Sequence, residues 1–240
     1  CNNNIPKEIN GTVSAVLETE PVDASDDTAD DPCVWVHPTD PSLSIIIGTD
    51  KDEHSPGLRV YDLSGSQIYE TEKEKANNVD IRYGMQLGGE QVDIVTAGLR
   101  VSNSLGIYKV NSENRSLDPV SARQIILGIE VYGSCMYKDV KTNTIYVIVN
   151  DKEGNAEQYR LFDNGSGSVD ASLVRTLKLP GQLEGCVADD ILGYIYIGEE
   201  EHGIWKFDAD PDGSNNGILI DSIGPHLAAD VEGLTIYYSG

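Results

Sequence analysis

Apolar and polar residues alternate at a period of two in segments throughout the chain, and no stretch of eleven or more residues keeps a clean helical period. The pattern predicts a chain built almost wholly of short strands. Four of these strands carry an aromatic second residue: VYDL at 60–63, IYKV at 107–110, QYRL at 158–161 and IWKF at 204–207. Tyr61, Tyr108, Tyr159 and Trp205 thus recur about every 50 residues, which at four strands per unit predicts a β-propeller.

Two further series keep the same period. One opens an apolar strand: DDPCVWVHP from 30, NNVDIRYG from 77, EVYGSCMY from 130, LEGCVADD from 183 and DVEGLTIYY from 230. The other closes the following strand on a charge: Lys51 after IIIGTD, Arg100 after VTAGL, Lys152 after VIVND and Glu200 after YIGE. Antiparallel neighbours bring the start of one strand and the end of the next to a single rim. Asp30, Asp31, Tyr132, Glu184 and Glu232 are therefore expected at the same mouth of the central channel as Lys51, Arg100, Lys152 and Glu200. Solvation explains a charge at any one strand end. The recurrence is what points to a site, since solvated rim charges contribute little stability.

Charge sharpens that picture. With 40 Asp and Glu against 17 Lys and Arg, the formal net charge is −23. Such a protein is not expected to bind nucleic acid or an anionic membrane directly, because counterion release needs cations on the protein. Its longest apolar run is too short to insert into a bilayer. An anionic substrate would need bridging cations. Clustered carboxylates resist joint ionisation without a counter-charge, and an irregular set of oxygen ligands selects hard cations, calcium above all. Several calcium ions at the mouth would attract phosphate, with Lys51, Arg100 and Lys152 holding the oxygens that the metals do not reach. Metals also lower the pKa of a bridging water, so hydrolysis there needs no side-chain nucleophile.

Other chemistries find no support. Neither Cys135 nor Cys186 opens a Cys-x5-Arg loop, the four histidines show no zinc spacing, and no GxSxG or GxxxxGK[ST] segment occurs. Asp208, Asp210, Asp212 and Gly213 imitate the start of an EF-hand loop, but the twelfth position is Leu219, so a tight hairpin is favoured. Cys33, Cys135 and Cys186 lie in apolar segments and are expected as small buried hydrophobes rather than disulfide partners. Cys1, followed by three asparagines, reads either as a processed lipoprotein start or as a fragment end.

The segments DDPCVWVHPTDP, IIIGTDK, NNVDIRYG, VYGSCMY, NDKEGNAEQY, LEGCVADDILGYIYIGEEEHGIWKF, PDGSNNG and DVEGLTIYY together closely resemble the β-propeller phytases, the alkaline, calcium-dependent phytases of bacteria. The resemblance runs in order from about residue 26 to 238. It implies an all-β, six-bladed β-propeller that hydrolyses phosphomonoesters of myo-inositol hexakisphosphate (phytate) with several calcium ions. It further implies that Lys51, Arg100, Tyr132, Lys152 and Glu153 contact phosphate or its metal shell. Asp30, Glu184, Glu200, Asp230 and Glu232 would hold the metals, and Glu184, Glu200 and Glu232 would hold a metal-bridging water that attacks phosphorus directly. Asp230 and Glu153 enter through the resemblance alone.

On this reading residues 1–22 form a polar tail and residues 23–240 a propeller domain that is incomplete at its C-terminal end, with about four blades and the start of a fifth. The 240 residues alone are accordingly expected to show little phytase activity. A calcium-dependent propeller lactonase or esterase, and a non-catalytic calcium-binding propeller, are the alternatives. The Lys51, Arg100 and Lys152 series disfavours a lactonase, whose uncharged substrate needs no phosphate ligands. The protein is expected to act as a monomer on calcium complexes of inositol phosphates. Low-affinity calcium sites stay filled outside the cytoplasm. The expected location is therefore extracellular or at the cell envelope, with Cys1 as a candidate lipid anchor.

Overall fold

A computed structural model describes residues 14–22, 27–52, 54, 56–72 and 74–238. The chain forms four antiparallel sheets in sequence order, each a propeller blade. Blade one contains β1 (Ala29–Trp35), β2 (Ile45–Asp50), β3 (Gly57–Asp62) and β4 (Gln67–Glu70). Blade two contains β5 (Ala76–Leu87), β6 (Glu90–Leu99), β7 (Ser104–Val110) and β8 (Leu117–Pro119), with the short β9 (Ile125–Ile126) also paired to β7. Blade three contains β10 (Ser134–Asp139), β11 (Thr144–Asn150), β12 (Asn155–Asp163) and β13 (Val169–Lys178). Blade four contains β14 (Leu183–Asp189), β15 (Tyr194–Glu199), β16 (Gly203–Asp208) and β17 (Ile218–Ser222). The four aromatic-bearing repeats are the third strands β3, β7, β12 and β16. Among the described residues no helix is long and apolar enough to cross a membrane.

The apolar core lies between blades, which explains why the second strands read as continuous apolar runs rather than strict alternations. In β11, Ile145, Val147 and Val149 pack with Ile94, Leu105 and Ile107 of blade two. Tyr146 and Ile148 turn the other way and pack with Ile195 and Ile197 of blade four. A third cluster joins Trp35, Ile45 and Val60 of blade one to Val79, Val95 and Ala97 of blade two. Trp35 is buried there and satisfies its indole N–H on Asp93 Oδ2 at 2.8 Å.

Innermost strands are joined across the channel wall by carboxylates. Asp31 Oδ2 accepts from Val79 N at 3.0 Å, and Asp80 Oδ2 accepts from Met136 N at 2.8 Å. Asn150, fully buried at the end of β11, accepts from Gly133 N at 3.0 Å and donates to Glu184 O at 2.8 Å, clasping blade three to blade four. Gly133 must lack a side chain: a β-carbon there would stand 2.7 Å from Asn150 Oδ1 and from the Glu184 carbonyl carbon. Gly185 approaches the backbone of Glu232 in the same way, where a β-carbon would stand 2.8 Å from the carbonyl carbon.

Several expectations are corrected. The segment 230–238 does not form a fifth innermost strand: among the described residues no strand pairs with it in a ladder. It is nevertheless docked, with Val231 buried and its N–H donating to Glu200 O at 3.1 Å. Cys135 and Cys186 are joined as a disulfide, with Cα atoms 5.6 Å apart, between β10 and β14. Their sequence separation of 51 is one repeat, so the fold sets them side by side on neighbouring innermost strands. Local spacing could not reveal that. Within residues 14–22, Glu20 N donates to Gly65 O at 2.7 Å, and its carboxylate accepts from Gln67 N at 2.9 Å. Cys1 lies outside the described residues.

Cys33 is a half-buried free thiol on the channel wall, and burial raises its pKa well above the usual value. The Asp208–Gly213 segment lies in the connection that runs from β16 to the start of β17 at Ile218, longer than the tight hairpin expected, and the guanidinium of buried Arg175 donates to the carbonyls of Asp208, Asp210 and Ser214.

Candidate functional site

One end of the channel collects the two strand series. Asp30 and Asp31 sit early in β1, Glu184 sits in β14, and Tyr132 lies just ahead of β10. Lys51, Arg100, Lys152 and Glu200 immediately follow, or follow by one residue, the second strands β2, β6, β11 and β15. Glu232 belongs to the docked segment after blade four.

Lys51 Nζ donates to Asp30 Oδ1 at 3.1 Å and lies 3.5 Å from Asp27. Burial alone would lower the Lys51 pKa, but these two carboxylates leave it raised. The second oxygen of Asp30 is buried with no hydrogen-bond partner among the described residues. Burial raises the Asp30 carboxyl despite Lys51, with Asp27 and Glu232 adding to the effect.

Glu184 is 4% exposed, and its pKa is pushed up to about 8 by burial and then by the Glu232 and Asp30 carboxylates. Asn77 Nδ2 donates to Glu184 Oε1 at 3.3 Å and partly offsets that rise. Glu200 is raised by burial and by Asp230 and Glu232, although Gln182 Nε2 donates to its Oε1 at 2.6 Å. The structure thus brings Asp30, Glu184, Glu200, Asp230 and Glu232 within electrostatic reach of one another. Among the described residues, no three potential metal ligands converge closely enough to enclose a single ion.

The cationic half adjoins the acidic half. The Tyr132 ring carries the Arg100 guanidinium 5.2 Å from its centroid and the Lys152 ammonium at 4.1 Å, so one aromatic orients two cations. Burial first, and then Glu184, Glu200 and Glu232, push the Tyr132 phenol above its usual pKa, keeping it a neutral donor. Arg100, Tyr132, Lys152 and Glu153 line a cavity of about 130 Å³ together with Glu130 and Asp151. Glu153 is exposed on the turn after β11 and its backbone N–H donates to Asp151 Oδ1 at 2.9 Å.

Asp31 points into the channel, where burial pushes its carboxyl up to about 7, with Asp80 and Asp30 contributing. The cavity there, about 650 Å³, is lined by Asp31, Cys33, Asp80, Arg82, Cys135 and Cys186 among others. Sequence reasoning missed Asn77, Asn78, Asn150 and Gln182, the neutral amides that hold the charged groups. The three asparagines stand in NNVD and VIVND, next to apolar strand residues, where nothing in the linear sequence sets them apart from other polar residues.

These shifts set a pH dependence. Asp31 and Glu184 keep protons in the folded state that the unfolded chain releases near pH 4, so the folded state binds more protons between about pH 4 and 8. Their contribution to stability is full below pH 4 and is lost as pH rises through 7 to 8. In chelator, the melting temperature is expected to fall from pH 5.5 to pH 8.5 in scanning calorimetry, and added calcium is expected to reverse the fall. A chelated protein that gains stability across that range would contradict the assignment.

The family model described as Phytase matches residues 2–240. A 3-phytase of Bacillus subtilis (strain 168) is 44% identical over 233 residues, covering 95% of this chain and 60% of the relative. The chain therefore spans 60% of that relative's length. A solved structure, that of a functionally unknown protein from Desulfotomaculum acetoxidans DSM 771, matches with a TM-score of 0.57 at 13% identity, covering 87% of this chain and 60% of that one. That likeness concerns the fold alone. With a family match along nearly its whole length and the repeated charged rim in place, the chain belongs to the phytase family.

Proposed function

We propose that the protein hydrolyses phosphate monoesters of phytate, using several calcium ions held by Asp30, Glu184, Glu200, Asp230 and Glu232. The observation that carries this reading is the meeting, at one channel mouth, of mutually repelling carboxylates with the Arg100, Tyr132 and Lys152 group.

The donor set fits calcium. Every proposed ligand offers oxygen, one Asp30 oxygen is buried without a partner among the described residues, and Glu184 is pushed toward its protonated form by burial and by the Glu232 and Asp30 carboxylates. Calcium bound there would supply the charge that draws phosphate to a protein of net charge −23 and would acidify the attacking water.

The chain's own residues do the rest. Arg100 and Lys152, oriented by Tyr132, bind phosphate oxygens and fix the ester, and Glu153 stands at the edge of the same cavity. Lys51 neutralises Asp30 and faces the same mouth. Glu184, Glu200 and Glu232 orient the water.

A need for abundant calcium favours a location outside the cytoplasm, at the cell envelope or beyond. The Cys135–Cys186 bond supports an oxidising compartment.

The test is release of inorganic phosphate from phytate by the full-length protein. Chelator is expected to abolish release and calcium to restore it. Undiminished release after chelation would overturn the calcium reading, and no release under any metal would overturn the phytase reading.

A further inference from the structure

Between the cationic and acidic halves of the mouth stands one fully buried side chain with no assigned role. Asn77, the second residue of β5, is 0% exposed. Its Oδ1 accepts from Arg100 Nη1 at 3.3 Å, and its Nδ2 donates to Glu184 Oε1 at 3.3 Å. The same Nδ2 donates to Asn78 Oδ1 at 3.3 Å. Asn78 is itself buried and hydrogen-bonds the Asp31 carboxyl. The pair links a guanidinium of blade two to carboxylates of blades four and one.

The chemistry of the two partners dictates the residue. A guanidinium only donates, and an ionised carboxylate only accepts. A side chain that serves both at once must carry an acceptor and a donor on a short stem, without adding charge to a crowded acidic site. A primary amide meets all three demands. Aspartate would serve Arg100 but repel Glu184, and leucine would leave both buried groups unsatisfied.

We propose that Asn77 is a positioning residue for phosphate-ester hydrolysis, setting the distance between the phosphate-binding Arg100 and the metal-binding Glu184. The inference rests on the phytase reading above. Arg100 stands over the Tyr132 ring, whereas Glu184 lies among the carboxylates of Glu232 and Asp30. Asn77 bonds to both, so the reacting ester would meet each group at a fixed separation rather than at two independently mobile tips. Its role is exercised through Arg100 and Glu184, not on the ester itself.

The test uses the full-length protein and phytate hydrolysis. Asn77→Ala is expected to lower kcat/KM by about tenfold or more, through both a raised KM and a lowered kcat. Asn77→Asp keeps the acceptor for Arg100 and loses the donor to Glu184. It is therefore expected to spare KM and to lower kcat. The decisive measurement is a double-mutant cycle with Arg100→Ala. If Asn77 acts through Arg100, the loss from Asn77→Ala shrinks severalfold once Arg100 is gone. If the two losses multiply independently, or if Asn77→Ala retains full kcat/KM, the inference is overturned. Asn77→Asp carries the kcat-against-KM split should the alanine variant fold poorly. A wild-type protein that releases no phosphate would instead refute the phytase reading, so the two failures are distinct.

Discussion

Glu184→Gln in the full-length protein is expected to lower phosphate release from phytate at least about a hundredfold, the scale on which removing one charged or hydrogen-bonding group disables a preorganised site. The side chain is buried, and the amide has nearly the same shape, so packing against β14's neighbours is kept. Its oxygen can still accept from Asn77. What disappears is the capacity to carry a negative charge at the centre of the acidic group, and with it a proposed metal ligand. Thermal stability is expected to hold or rise, because the charge being removed is already disfavoured by burial and by the Glu232 and Asp30 carboxylates. Phosphate release and calorimetry on the same sample separate the outcomes. Substantial retained activity would remove Glu184 from the mechanism, and lost activity with collapsed stability would make its role structural.

Reducing the Cys135–Cys186 bond, or replacing both cysteines by serine, is expected to destabilise the protein by about 4 kcal/mol. The bond closes a long loop, with partners 51 residues apart, and removing it restores freedom to the unfolded chain. For a domain of this size, that corresponds to a drop in melting temperature of roughly 10 °C. The double replacement is preferable to a single one, since a lone thiol would be left facing the channel that Cys33 also lines. Calorimetry with and without reductant gives the result. An unchanged melting temperature on full reduction, verified by thiol counting, would show that packing between β10 and β14 suffices.

Much of this was legible in the sequence because propellers repeat. Tyr61, Tyr108, Tyr159 and Trp205 mark equivalent strands, and one period carries each strand-end charge to the same rim. The architecture therefore followed from spacing, without knowledge of any contact. The disulfide escaped because two cysteines one repeat apart become neighbours only after the blades stack. The segment 230–238 read as a strand from its alternation, but alternation specifies a face, and ladder hydrogen bonds also need a neighbour. Asn77 and Asn150 escaped for a different reason. Their amides act across blades, and in a linear sequence a buried amide looks like any other polar residue.

The glycines at 133 and 185 let main chain rest on main chain from one blade to the next around the mouth. Such a collar has little play, since peptide groups in direct contact cannot shift by changing rotamer. Alterations to the outer hairpins should then be absorbed by soft side-chain layers before they reach the rim. Attempts to improve heat resistance are best directed at β4, β8, β13 and β17, far from the inner ring. A single methyl group added at either glycine would dislocate the rim carboxylates as a set.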